Sequence, residues 1–333
     1  MIVRNEERDL GRCLASVTGV VDEIVVVDTG STDRTAAIAA AYGARLLAHA
    51  WRDDFSAARN CALEHATGRW ILVLDADEVL ECEGGAAVRM VIRHSACDGL
   101  RVRMRNVQRP DDLCAYSDCR LTRLFRNRAE YRYEGTVHEQ IAPAILRVGG
   151  TLGDAELTVV HHGYARRVAQ GACDRAARNV RLLKRALSAT PDDAYLHYQM
   201  GVTYRSAKEP ARAEHHLRHA LRLDRGTLDP DARDAAWMAL GQIALGAGRR
   251  DDALRCAESS LRLNPENTLS LYVAALASIE RGEVRKAYEY FCRLRQRADI
   301  RLERRGDIET LVKHFRAVLG VQDGTEKANG RTG

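Results

Sequence analysis

The sequence has no long hydrophobic run. No apolar stretch approaches the roughly 20 residues needed to cross a bilayer, and the first residues lack the basic and then apolar layout of a secretion signal. These absences argue against a membrane span and predict a cytoplasmic location. The net charge of +5 is modest and is mixed with 46 acidic residues, so no nucleic-acid partner is expected.

Regular cysteine spacing is also lacking. The nine cysteines are an odd number scattered along the chain, which is typical of reduced thiols rather than of a disulfide framework. Cys114 and Cys119 form the only close pair, and their five-residue separation matches no common zinc spacing. We therefore expect no metal site at the cysteines.

What is present indicates two domains, since 333 residues exceed one typical core. In the N-terminal part, short apolar strands alternate with helices: a strand at 24–27 ends in Asp28, a helix covers 34–42, and a strand at 70–74 ends in Asp75. Strands alternating with helices predict an α/β fold with a parallel sheet covered on both faces. Ligands bind at the carboxyl ends of the strands in such a sheet.

The first strand is short. Only Met1, Ile2 and Val3 precede the polar stretch RNEER, whereas strands usually have about five or six residues. We expect either that the strand begins a few residues upstream of this sequence or that it is a clipped strand.

Beyond about residue 165 the pattern becomes helical and repeats. Gly201 and Ala213 recur forty residues later as Gly241 and Ala253, and Gly248 recurs thirty-four residues later as Gly282. A period near thirty-four with small residues at fixed places predicts helix-turn-helix repeats of tetratricopeptide type. The residues after about Val321 are polar and contain glycine, which predicts a disordered tail.

Two carboxylates follow the strand at 70–74. Asp75 and Asp77 lie two residues apart where the strand pairing ends. A hard divalent cation held by carboxylates can neutralise the charge of a diphosphate without a proton. A solvated turn is the alternative explanation for the pair, and the buried strand before it favours the metal site.

Three segments resemble the N-terminal half of family 2 glycosyltransferases with the GT-A fold: MIVRNEE, DEIVVVDTGSTDRT and WRDDFSAARNCALEHATGRWILVLDADE. More narrowly, they resemble the bacterial, tetratricopeptide-containing, SunS-like subgroup. The resemblance implies a GT-A α/β domain with a mostly parallel sheet at 1–165, a tetratricopeptide-like helical domain at 166–320 and a disordered tail at 321–333.

The resemblance implies an inverting, metal-dependent glycosyltransferase. Its donor would be a nucleotide diphospho-sugar, with a UDP-sugar expected, and its cofactor Mn²⁺ or Mg²⁺. The acceptor would be a peptide, a glycan or a small molecule, and the helical domain would hold a partner or form a homodimer. Asp28 would contact a uracil-like base edge and Arg59 a phosphate. The donor-binding residues implied are Val3, Asn5, Glu7, Asp28, Gly30, Ser31, Arg59, Asn60, Asp75 and Ala76.

The resemblance also implies the residues of metal binding and catalysis. Asp75, Asp77 and His161 would hold the cation, with His162 as the second choice to His161. An inverting transfer needs a general base, and Glu139 or His138 is the expected one. Ordinary members of the family have an Asp in a Glu-Asp pair here, whereas this sequence has His-Glu.

Two other functions remain open. In the first, the chain is a scaffold whose repeats bind protein and whose sugar-nucleotide domain is degenerate; the intact Asp75 and Asp77 argue against it, and the short first strand argues for it. In the second, the chain makes sugar nucleotides, which would require a glycine-rich loop after the first strand. The stretch RNEERDLGR has no such glycine cluster.

Overall fold

A computed structural model of the chain describes residues 1–81, 85–108, 112–163 and 172–321. Contacts divide the chain into two compact units, Met1–Arg109 with Tyr116–Thr190 and Pro110–Ala115 with Pro191–Gly333. The domain boundary predicted at 165/166 lies outside the described residues, as does the predicted tail after Val321. Both stay predictions.

The first unit is built from both strands and helices. Its described elements are β1 (Ile2–Val3), α1 (Leu10–Val17), β2 (Val25–Asp28), α2 (Thr35–Ala41), β3 (Arg45–Ala48), α3 (Phe55–His65), β4 (Trp70–Leu72), β5 (Glu78–Glu81), α4 (Gly85–His94), β6 (Gly99–Val107), β7 (Tyr116–Arg126), α5 (Ala142–Arg147), β8 (Leu152–His161) and α6 (Ala172–Ala189).

The strands form two sheets, and the α/β fold class is confirmed. One sheet has the order β1-β2-β3 with parallel pairs, as expected. The other has the order β4-β7-β6-β8-β5, in which only β6 and β8 pair in parallel among the described strands. The pairing is less parallel than expected because β6 and β7 follow each other without a crossover helix and pair antiparallel.

Hydrophobic periodicity explains why the first elements form. Helix α1 buries Leu10, Cys13, Leu14 and Val17, which is the spacing of one helical face. That face packs with the buried valines of β1 and β2. The polar residues that follow β1 and β2 are thereby held at the ends of their strands.

The second unit is helical in its described part outside the short segment that ends at Ala115. Its elements are α7 (Ala194–Ser206), α8 (Pro210–Leu223), α9 (Pro230–Gly246), α10 (Arg250–Leu263), α11 (Thr268–Glu280), α12 (Val284–Arg295) and α13 (Leu302–Leu319).

Small residues let these helices pack closely, as the repeat pattern predicts. A side chain at Gly201 would place its Cβ 2.6 Å from Leu217 Cγ, so only glycine fits there. Ala213, Ala253 and Ala287 are fully buried.

In the part of the chain that the structure describes, no helix is long and apolar enough to cross a membrane.

Candidate active site

The loops after β1 and β2 are bonded to each other. Asn5 Oδ1 accepts a hydrogen bond of 2.8 Å from the Thr32 amide, and the Asn5 amide donates to Ser31 Oγ at 3.0 Å. Glu7 Oε2 accepts from the Arg34 amide at 3.1 Å. The predicted donor-binding residues Asn5, Glu7 and Ser31 therefore lie together at the carboxyl ends of the parallel strands.

Asp28 organises the turn after β2. Its Oδ1 accepts from the amides of Gly30 (3.0 Å) and Ser31 (2.8 Å) and from Ser31 Oγ (2.8 Å). Gly30 has a φ of +107°, which glycine adopts readily. Among the described residues, none bonds the other carboxylate oxygen, Oδ2. Val3 lies beside the turn and accepts from the amide and the hydroxyl of Thr29, both at 3.0 Å.

A second group is a row of buried charges around Asp75. Arg59, on α3, donates from Nη2 to Asp75 Oδ1 at 2.8 Å and from Nε to Glu139 Oε1. The same guanidinium lies 5.5 Å from the ring centroid of Tyr133. The chain thus joins two of its predicted site carboxylates, from distant segments, through one arginine.

Arg123 and Glu78, which sequence reasoning missed, complete this row. Arg123 Nη2 donates to Asp75 Oδ2 at 3.1 Å and to Glu78 Oε1 at 2.6 Å. Burial raises the pKa of Asp75, but the charges of Arg59 and Arg123 outweigh it and hold that pKa well below its ordinary value. Asp75 is therefore an ionised acceptor fixed in one orientation.

A third group is the pair Asp77 and His161. Asp77 Oδ2 lies 3.1 Å from His161 Nε2, and His161 Nδ1 lies 2.9 Å from Asn106 Oδ1. Two ligands at right angles on one Mg²⁺ ion are about 3.0 Å apart. The spacing of the pair therefore fits a shared cation, and Asn106 would fix the imidazole ring as partners of metal-bound histidines do.

The surroundings of this pair also fit a cation. Burial, together with the nearby charges of Asp77 and Asp9, raises the pKa of Glu6 to about 7. Excess negative charge of this kind is relieved when a cation binds. The described residues hold no preformed group of three or more metal-binding side chains, but a nucleotide-bound Mg²⁺ needs only one or two carboxylates because phosphates and water complete its shell.

The structure separates the three predicted metal ligands. Asp77 and His161 lie together, whereas the carboxylate of Asp75 faces two guanidinium groups. Ala76, between the two aspartates, is buried. This arrangement leaves Asp77 and His161 as the pair that could hold a metal ion.

The predicted catalytic residues lie in the loop after β7. Glu139 is almost buried and paired with Arg59. His138 has a φ of +54°, an uncommon conformation for a non-glycine residue, and burial lowers its pKa. Asn60 bonds the backbone of Tyr133 in both directions, at 2.8 and 3.0 Å, so its amide positions this loop.

Comparison with known proteins gives matches to each unit. A family model for glycosyl transferase family 2 matches residues 1–83, and one for the tetratricopeptide repeat matches residues 192–266. A TPR repeat-containing protein of Synechococcus elongatus is 37% identical over 270 residues, which cover 79% of this chain and 65% of that protein.

Two glycosyltransferases are also similar. The SPbeta prophage-derived glycosyltransferase SunS of Bacillus subtilis is 32% identical over 142 residues, 42% of this chain and 33% of that protein. The lipopolysaccharide core biosynthesis glycosyltransferase LpsC of Rhizobium meliloti is 32% identical over 177 residues, 49% of this chain and 61% of that protein. The chain spans less than two thirds of the length of each of these curated relatives.

Proposed function

Because the chain carries a family 2 glycosyltransferase domain followed by tetratricopeptide repeats, we propose that it is a metal-dependent, inverting glycosyltransferase that uses a UDP-sugar. The observation that carries this proposal is the distance of 3.1 Å between Asp77 Oδ2 and His161 Nε2. Asp77 directly precedes β5, and His161 is the last residue of β8. That spacing, next to a carboxylate fixed by two arginines, suits a nucleotide diphosphate with its cation.

Asp77 and His161 would hold Mn²⁺ or Mg²⁺. The cation would neutralise the charge that develops on the diphosphate as it leaves. Asp28 Oδ2 accepts a hydrogen bond from the edge of the base, since Oδ1 is occupied by its own turn. Asp75 accepts hydrogen bonds from the ribose hydroxyls, and its two arginine partners keep it ionised and in place.

The acceptor is activated by Glu139 or His138. The base takes the proton from the acceptor while the acceptor attacks the anomeric carbon on the face opposite the diphosphate. Attack from that face inverts the configuration. The ion pair with Arg59 orients Glu139, and the lowered pKa of His138 keeps its imidazole neutral and able to accept a proton.

The acceptor is a peptide, a glycan or a small molecule, and the tetratricopeptide unit supports a protein partner, either an acceptor peptide or a second copy of the chain. The relative from Rhizobium meliloti is named for lipopolysaccharide core biosynthesis, which adds a glycan to the acceptors to be tested. The donor can be identified before the acceptor because many transferases hydrolyse their donor slowly when no acceptor is present.

The test is a panel of UDP-, GDP-, CDP- and ADP-sugars incubated with the full chain and Mn²⁺, with the released nucleoside diphosphate measured. We expect release from a UDP-sugar, loss of release with a chelator, and a decrease of roughly a thousandfold in Asp77→Ala, as several kcal/mol of lost charge stabilisation would give. Asp118→Ala, which removes a surface carboxylate paired with Arg105, is the control and should act like the wild type.

Two results would contradict the proposal. Failure of the wild type to bind any sugar nucleotide would favour the scaffold. Full activity with a chelator present, or in Asp77→Ala, would refute the metal site.

A further inference from the structure

Helix α6 carries a row of arginines. Arg175, Arg178 and Arg181 follow each other at intervals of three residues, so they share one face of the helix. Arg181 donates to both oxygens of Asp53, at 2.6 and 2.9 Å. This two-bond contact fixes the row beside the turn that precedes α3.

Arg178 lies close to the candidate site. Its guanidinium carbon is 5.0 Å from the ring centroid of Phe55, the first residue of α3. Arg59 follows Phe55 by four residues, about one helical turn on the same face. Arg178 therefore lies about one turn along α3 from the arginine that holds Asp75 and Glu139.

The row has unbalanced positive charge. Nε and Nη2 of Arg178 donate to the neighbouring amide oxygen of Asn179, at 3.2 and 3.1 Å. In the ranges 1–81, 85–108, 112–163 and 172–321, no carboxylate forms an ion pair with Arg175 or Arg178. Burial lowers the pKa of Arg178, and the charge of Arg175 lowers it further. Two crowded cations, of which Arg178 is half-buried and Arg175 is exposed, are stabilised by a bound anion.

The two arginines inside the candidate site are already paired with carboxylates and are not free to bind an anion. Arg59 and Arg123 are engaged by Asp75, Glu78 and Glu139. Beyond the charge that a cation at Asp77 and His161 would supply, further positive charge for a diphosphate at this site must therefore come from another element. Arg175 is close enough to lower the pKa of Glu6, whose pKa Asp77 raises, and Arg178 is close enough to lower the pKa of His138, so both arginines lie near the candidate site.

We propose that Arg178, with Arg175 beside it, binds the diphosphate of the nucleotide donor and of the departing nucleoside diphosphate. This inference rests on the proposed function and adds two donor-binding residues that lie outside the segment matched by the glycosyltransferase family model. A planar guanidinium held against an aromatic ring presents its outer N–H groups in the fork that phosphate oxygens accept.

The experiment measures the binding of uridine, UMP and UDP to the full chain by calorimetry with Mn²⁺ present. In Arg178→Ala we expect UDP to bind roughly tenfold to a hundredfold more weakly, as the loss of charge-assisted hydrogen bonds gives, while uridine binds unchanged. Arg178→Lys, which keeps the charge but not the fork, should lose less. Arg185→Ala removes the same charge further along α6 and should leave all three affinities unchanged.

A purely structural role would weaken uridine and UDP alike, so the ratio of the two affinities is the decisive value. An unchanged ratio in Arg178→Ala overturns the inference, and so does UDP binding within about twofold of the wild type. Arg178→Gln provides the same test if the alanine variant does not fold. If the wild type binds none of UDP, GDP, CDP and ADP, the proposed function fails and the inference fails with it.

Discussion

A buried charged group in each unit is bonded in a different way. In the first unit, Arg59 Nη1 and Arg123 Nε are buried and have no hydrogen-bond partner among the described residues, although both side chains form ion pairs. In the second unit, the buried Asp234 is bonded at both oxygens. Oδ1 accepts from Ser260 Oγ, and Oδ2 accepts from Asn264 at 3.1 Å and Asn267 at 2.9 Å.

The difference separates a binding site from a packing interaction. A fully bonded buried carboxylate loses stability if it is changed and gains nothing from a ligand. A row of buried charges with unused donors lowers the stability of the folded state. Such rows are found at sites that bind a ligand. Asp234 links α9 to α10 and to the start of α11, whereas Asp75 and Asp77 are the carboxylates proposed to meet a ligand.

The largest effects on stability and on activity should come from replacing each of the two carboxylates, Asp234 and Asp77, by alanine. Asp234→Ala removes the acceptor of three side-chain donors, of which the Ser260 hydroxyl is fully buried, so we expect a loss of about 2 to 4 kcal/mol in the unfolding free energy of the helical unit. Donor hydrolysis per folded molecule should be unchanged. Urea unfolding followed by circular dichroism, with hydrogen exchange in α9 and α10, measures the loss.

Asp77→Ala should do the reverse, with hydrolysis lost and unfolding nearly unchanged. Asp307→Ala, at an exposed position of α13, controls for the removal of a carboxylate and should change stability by less than about 0.5 kcal/mol. The two carboxylates do not differ as proposed if Asp234→Ala unfolds like the wild type, or if Asp77→Ala destabilises as much as Asp234→Ala.

Local sequence was enough to find the end of β2 and the repeats. Asp28 ends β2 as expected, because a run of valines followed by Asp-Thr-Gly defines a strand and a turn without distant contacts. The repeats were found because small residues recur at fixed distances, and Gly248 and Gly282 have matching φ values of +72° and +74°. Each of these features is decided within one segment of the chain.

Contacts between distant segments were not predictable. Arg123 meets Asp75 across 48 residues of sequence, and an arginine in RLTRLFR looks like any solvated strand residue until the sheet forms. Its position directly before the buried Leu124 and Phe125 is the one local hint. The arginines of α6 were missed for the same reason, since a basic helix face is usually solvated.

Two glycines, one in each unit, allow the same difference to be tested with smaller expected effects. A Cβ at Gly163 would lie 2.6 Å from His161 Nε2 and would also overlap the carboxylate of Asp77. We expect Gly163→Ala to push this pair apart and to weaken Mn²⁺ binding roughly tenfold to a hundredfold, with little effect on stability because only side-chain ends must move. Calorimetric titration with Mn²⁺ measures the loss.

Gly246 is the matched control in the other unit. It ends α9 with no atom within 4 Å of an added Cβ, so Gly246→Ala should raise the unfolding free energy by roughly 0.5 to 1 kcal/mol. Mn²⁺ binding should not change. Equal Mn²⁺ affinity in Gly163→Ala and the wild type would show that the space beside Asp77 and His161 is not a metal site.

The smallest expected effect is the release of a proton when the cation binds. The pKa of Glu6 is raised to about 7 by burial and by the charges of Asp77 and Asp9, and a cation at Asp77 would lower it. Binding therefore releases close to one proton near pH 6, and the affinity for Mn²⁺ rises with pH up to about 7, because the proton and the cation compete. Titrations in two buffers of different ionisation enthalpy measure the release.

Glu6→Gln should remove most of the proton release, whereas Asp234→Asn should not change it. Equal proton release in Glu6→Gln and the wild type would show that Glu6 is not part of the site.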